Sequence, residues 1–166
     1  MLITKSFEIQ VAHRVPNCST KKCSESIHGH SSVVEVSVWS QHLDNGAMVV
    51  DFNVLKATIG VVVNLFDHCT VLWSKESEET KNFFKKFNKR WIILPCSASA
   101  EMLSVVLFQL FDRLINLTDW KNNEDHPWMR SVKYFETKTG SATAFREDIE
   151  TLGINIEDIK FSPELS

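Results

Sequence analysis

Polar and apolar residues alternate at the start of the chain. Between Leu2 and His13, the positions Phe7, Ile9, Val11 and His13 share one parity, and Ser6, Glu8 and Gln10 occupy the other. Side chains of a strand project to opposite faces in turn, so this stretch predicts a half-buried strand. A second such run, from about Ile27 to Trp39, sets His28, His30, Val34, Val36 and Val38 on one face, and Asn45-Gly46 marks a turn soon afterwards. The intervening segment, Val15 to Glu25, holds Pro16, Asn17, Cys18, Cys23, several serines and Lys21-Lys22, a composition that suits a surface loop.

Helical spacing follows. Leu55, Ile59, Val62, Val63 and Phe66 fall on one helix face between Asp51 and Phe66, with Asp51 or Asn53 available as N-cap. A clearer helix opens at Ser99-Ala100-Glu101 and buries Leu103, Val106, Leu107, Leu110, Phe111, Leu114 and Ile115, with Ser99 as cap and Glu101 near the positive helix end. Lys75 to Arg90 reads as charged and irregular, and Trp91 to Leu94 as a short strand. Ser131 to Lys138 and Thr143 to Arg146 read as a hairpin around Gly140, followed by an acidic tail. The order ββααββ predicts an α+β domain, a four-stranded antiparallel sheet with two helices on one face. Its other face is expected to be covered by oligomerisation.

Composition narrows the function. The 166 residues, 43% hydrophobic and 23% charged, suit one compact domain spanning 1–166. A formal net charge of −3 gives no basic field for nucleic acid. No apolar run reaches the ~18 residues of a membrane span and the first residues lack a signal-peptide block, so the expected location is the cytoplasm, with no membrane partner. Four scattered cysteines are expected to be reduced thiols.

His28-Gly29-His30 is the sharpest chemical signal. Residues two apart on a strand reach one point, and a neighbouring strand can bring His13 there too. Three neutral imidazoles with a fourth position open make a catalytic zinc site; three unrelated histidines satisfy the same spacing, and a closed structural site with Cys23 as fourth ligand is a third reading. Cys23 is either a proton acceptor near a cation or an ordinary loop thiol. Asp67-His68 sets a carboxylate beside an imidazole, an acid/base pairing. Glu136, read here as mid-strand, must find donors, either a salt-bridge partner or the amidine-like edge of a heterocycle.

These pieces occur in a familiar order. Phe7 to Arg14, Cys23 with His28-Gly29-His30, Gly46 to Phe52 with Leu55-Lys56, Phe66-Asp67-His68, Ser99-Ala100-Glu101 and Phe135-Glu136-Thr137 together resemble the 6-pyruvoyltetrahydropterin synthase family over about residues 3–147. Within it the chain is most similar to the bacterial QueD branch, the 6-carboxytetrahydropterin synthases. The resemblance implies the T-fold (tunnelling fold), in which sheets of several subunits join into a barrel, usually a hexamer built as a dimer of trimers. It implies Zn2+ on His13, His28 and His30, with Cys23, Asp67 and His68 catalytic, and Glu136, Ser99 and Glu101 on the substrate. The activity implied is that of a lyase converting 7,8-dihydroneopterin triphosphate to 6-carboxy-5,6,7,8-tetrahydropterin, acetaldehyde and triphosphate on the way to queuosine.

The chain also departs from the pattern. Ser31-Ser32 stands where the family usually carries an aromatic residue, the Cys23 to His28 spacing is one longer, and Cys18 is close enough to compete with Cys23. Glu25, three before His28, matches the base of a variant branch that feeds folate synthesis. The pyruvoyl branch and a non-catalytic pterin-binding paralogue are further alternatives. Residues 149–166 form an extension outside the resemblance. Lys21, Lys22 and Arg14 are the candidates for the triphosphate.

Overall fold

The computed structural model describes residues 1–165. Strand β1 (Leu2–His13) and strand β2 (His28–Trp39) pair antiparallel over their whole lengths, from Leu2 opposite Trp39 to His13 opposite His28. Their shared parity puts Ile9, Val11, Val34, Val36 and Val38 in the core. Helix α1 (Lys21–Ser24) is a single turn in the connecting loop. Strands β5 (Trp128–Phe135) and β6 (Ser141–Phe145) extend the sheet beyond β2 as the expected hairpin.

Helix α2 (Phe52–Phe66) starts where Asp51 caps it, its carboxylate accepting from the Asn53 amide at 2.6 Å. Helix α4 (Ala100–Leu117) starts at Ser99, whose hydroxyl accepts from the Met102 amide. Both pack on one face of the sheet, α2 on β1 and α4 on β5 and β6. The buried arc of α4 is wider than the stripe read from its spacing. Val105 and Phe108 are fully buried while Leu110 and Leu114 are only partly so, because α4 is flanked by α2 on one side and α5 (Arg146–Leu152) on the other.

The sheet has seven strands, in the order β6-β5-β2-β1-β3-β4-β7, where four antiparallel ones were expected. Strands β3 (Cys69–Trp73) and β4 (Trp91–Leu94) run parallel to β1 and to each other, and β7 (Lys160–Phe161) closes the far edge antiparallel to β4. Cys69–Trp73 escapes a period-2 reading because its first four residues are all buried, the pattern of a strand covered on both faces. The acidic tail folds back: Gln109 exchanges two hydrogen bonds of 2.9 Å with the backbone of Ile154, and Ile159 is buried.

Lys75 to Arg90 is likewise not irregular. It contains α3 (Glu78–Phe87), capped by Ser77 and carrying Glu78 and Glu79 in its first turn and Lys85 and Lys86 in its last, the charge order a helix dipole favours. Its Phe83, Phe84 and Phe87 form a short apolar stripe, but Phe83 and Phe87 stay exposed, no residue of the helix is buried, and the charged residues around them mask the period. Among the described residues no helix is long and apolar enough to cross a membrane.

Candidate active site

The β1–β2 ladder ends in histidines. Its register places His13 opposite His28 and Val11 opposite His30, so one parity carries all three imidazoles to the same end of the core face. Ring centroids are 4.9 Å apart for His13 and His28, 5.1 Å for His13 and His30, and 5.0 Å for His28 and His30. One nitrogen from each ring lies within 4.8 Å of the others.

Backbone carbonyls set the tautomers. His13 Nδ1 is 2.6 Å from the Ala98 oxygen and His28 Nδ1 is 3.0 Å from that of Ser26. A carbonyl only accepts, so Nδ1 carries the hydrogen in each and Nε2 keeps a lone pair. Nε2 of His13 and of His30 is buried with no hydrogen-bond partner. Two buried unsatisfied nitrogens at one point are costly as they stand and become favourable around a divalent cation. Burial, opposed by the Ala98 carbonyl and Glu136, lowers the His13 pKa and keeps the ring neutral, the form that binds metal. The donor set therefore fits zinc or a similar ion.

Glu136 approaches two of the three histidines, from just past the end of β5 and not from mid-strand as expected. Its Oε1 lies 3.3 Å from His13 Nε2 and 3.9 Å from His30 Nε2, and the side chain is 30% exposed. Its backbone is held in the β5–β6 turn, where the Glu136 amide donates to the Gly140 oxygen.

Asp67 and His68 stand apart. Asp67 ends α2 and accepts from the Gln10 amide at 2.8 Å, the His68 amide donates to the Gln10 carbonyl at 2.7 Å, and the two side chains pair at 2.9 Å. These bonds hold His68 at φ 57°, a left-handed conformation uncommon outside glycine. Partial burial pushes the Asp67 carboxyl up, but the Gln10 amide and the His68 ring outweigh it and hold the pKa below its ordinary value. The His68 side chain is 70% exposed and lines a surface cavity with Gln10, Gly29, His30 and Ser31. No hydrogen bond or ion pair among the described residues joins Asp67 or His68 to the three histidines.

The remaining candidates sit around the cluster. Cys23 lies in α1 with a half-buried thiol, its carbonyl accepting from the Val15 amide at 2.8 Å. The Cys18 thiol is engaged by Thr20, and Glu25 is exposed in a groove shared with Arg14 and Phe83. Ser99 caps α4 and Glu101 is exposed on its first turn, next to the Ala98 carbonyl that holds His13. Lys21 and Lys22 are exposed. Arg14, expected at the triphosphate, forms a bidentate pair with the buried Glu76 carboxylate instead. Charge-dense context hid Glu76 in the sequence.

Ser32, where the family usually carries an aromatic, is buried and bonded at 2.9 Å to the hydroxyl of Tyr134, a ring supplied by β5. Burial pushes the Tyr134 hydroxyl up to about 12, so it stays protonated.

The chain is similar to known proteins along most of its length. Residues 2–147 match the family described as 6-pyruvoyl tetrahydropterin synthase. The 6-carboxy-5,6,7,8-tetrahydropterin synthase of Helicobacter pylori is 32% identical over 150 residues, 90% of this chain and 75% of that protein. The enzyme of the same name from Rickettsia bellii is 26% identical over 136 residues, 81% of this chain and 92% of the relative. Among solved structures, a protein from Wolinella succinogenes superposes with a TM-score of 0.70 at 17% identity over 88% of this chain and 98% of its own. The Caenorhabditis elegans 6-pyruvoyl tetrahydropterin synthase does so at 0.60 and 21% identity, over 87% of this chain and 94% of its own. At such identities the two structures speak for the fold.

Proposed function

The chain belongs to the 6-pyruvoyl tetrahydropterin synthase family, and on that premise we propose that it is a 6-carboxy-5,6,7,8-tetrahydropterin synthase of queuosine (7-deazapurine) biosynthesis. It takes 7,8-dihydroneopterin triphosphate and water to 6-carboxytetrahydropterin, acetaldehyde and triphosphate. The observation that carries this reading is the convergence of His13, His28 and His30 with two buried, unpartnered Nε2 atoms. A zinc ion held there would acidify hydroxyls of the substrate side chain.

The protein's own groups divide the remaining work. Cys23, half-buried in the loop before His28, takes a proton from the side chain as thiolate. Asp67 keeps the His68 ring oriented for proton transfer. With His68 mostly exposed and bonded to no residue of the histidine cluster, the pair serves the site of a neighbouring subunit. Glu136, with Ser99 and Glu101, receives the N–H edge of the pterin, and Lys21 and Lys22 meet the triphosphate. The assembly is a cytoplasmic hexamer of two trimers. Glu25 is a second assignment for the base, favoured by the groove it shares with Arg14, the residue after His13.

Product analysis tests the reading. Zinc-loaded protein given 7,8-dihydroneopterin triphosphate should yield carboxytetrahydropterin by mass spectrometry and trapped acetaldehyde in equal amount. A pyruvoyl or hydroxymethyl pterin would move it to a sister branch, and unchanged substrate at full metal loading would make it a binding protein.

A further inference from the structure

Glu136 raises a problem that pterin anchoring alone leaves open. With the His13 Nδ1 hydrogen donated to Ala98, its Nε2 presents a lone pair, and 3.3 Å away lies a carboxylate oxygen that also offers only lone pairs. Neither His13 Nε2 nor His30 Nε2 gains a hydrogen bond from this approach. Two acceptors turned toward each other in a buried corner repel unless a cation lies between them. A second measure agrees. Ligand atoms held ~2.0–2.2 Å from a tetrahedral zinc stand about 3.3–3.6 Å apart, a spacing met by His13 and Glu136 at 3.3 Å and within a small side-chain movement of His30 and Glu136 at 3.9 Å.

We propose, resting on the metal reading of the three histidines, that Glu136 is the fourth ligand of the substrate-free metal centre and is exchanged for the pterin as substrate binds. Position makes the exchange feasible. Glu136 lies in a turn beyond the last core residue of β5, where its backbone is fixed by the Gly140 carbonyl and its side chain is partly open to solvent. His13 and His28 are instead pinned through Nδ1. Two histidines are thus fixed in orientation, and the carboxylate is free to leave. Substrate would free the carboxylate to receive the pterin edge, and in its absence the carboxylate would shield the metal from adventitious ligands.

The test uses the full chain loaded with Co2+, whose visible absorption reports coordination. Glu136→Gln should change the spectrum and weaken Co2+ affinity by about tenfold to a hundredfold. Glu136→Asp, one methylene shorter, should fall between it and the wild type. Neopterin, which carries no triphosphate, should move the wild-type spectrum toward that of the Gln variant while leaving the variant's spectrum less altered. Identical affinity and spectrum in wild type and both variants would overturn the assignment while leaving the histidine site intact. Failure of the wild type to take up Co2+ would overturn the metal reading itself, with His28→Ala as the reference for a chain without the site.

Discussion

Two pieces of chemistry hang from β1, three residues apart: His13 in the core-side cluster, and Gln10, whose backbone holds Asp67 and His68. The first is buried and self-sufficient. His13 is 1% exposed, its ring is set by Ala98, and its partners come from the adjacent strand. The second is an ordered but exposed pair that no hydrogen bond or ion pair among the described residues joins to the histidine cluster. On the proposed assembly, the buried cluster is completed by one chain and the ordered, exposed pair is offered to another.

The largest effect should come from breaking the cluster. His28→Ala is expected to lower metal affinity by more than about a hundredfold and abolish turnover, read by metal analysis after dialysis. Next comes the proton acceptor. Cys23→Ala should retain bound metal and lose about 10²–10⁴ in kcat; a loss confined to Glu25→Gln would transfer the role to Glu25. The contrast itself is sharpened by mixing. Asp67→Asn and His28→Ala chains, each inactive alone, should after co-assembly regain about a quarter of wild-type activity, the statistical share of sites with both halves intact. No recovery would place both halves in one chain.

Smaller effects concern stability. Ser32→Ala should cost about 1–3 kcal/mol in urea unfolding by leaving the buried Tyr134 hydroxyl unpartnered. For the metal-free protein, His13 resists protonation when folded but takes a proton at an ordinary histidine value, about 6.5, when unfolded. The unfolded state therefore binds more protons between the two values. The contribution is complete above pH ~6.5 and is lost as pH falls through that range, and His13→Asn should flatten the dependence.

Some of this was legible in the sequence because the responsible signals are local. Period-2 alternation set β1 and β2 on opposite sides of a loop and gave His13, His28 and His30 a common parity, and Asp51 and Ser99 announced their helices. Cys69–Trp73, buried along its first four residues, carries no period, and the short Phe83, Phe84 and Phe87 stripe of α3 is masked by the charges around it, so both escaped pattern. Arg14 looked free for an anion only because its partner Glu76 lies 62 residues away.

By itself, then, the sequence determined the face on which each residue of β1 and β2 lies, the caps that start the two main helices and the order of the family's chemical groups, since each depends on neighbours within a few positions. Only the tertiary structure decided the strand register that closes three imidazoles on one point, the Ala98 and Ser26 carbonyls that turn two of them, and the approach of Glu136. Those outcomes depend on which distant segments share the core, a choice made by the packing of the whole sheet and its helices.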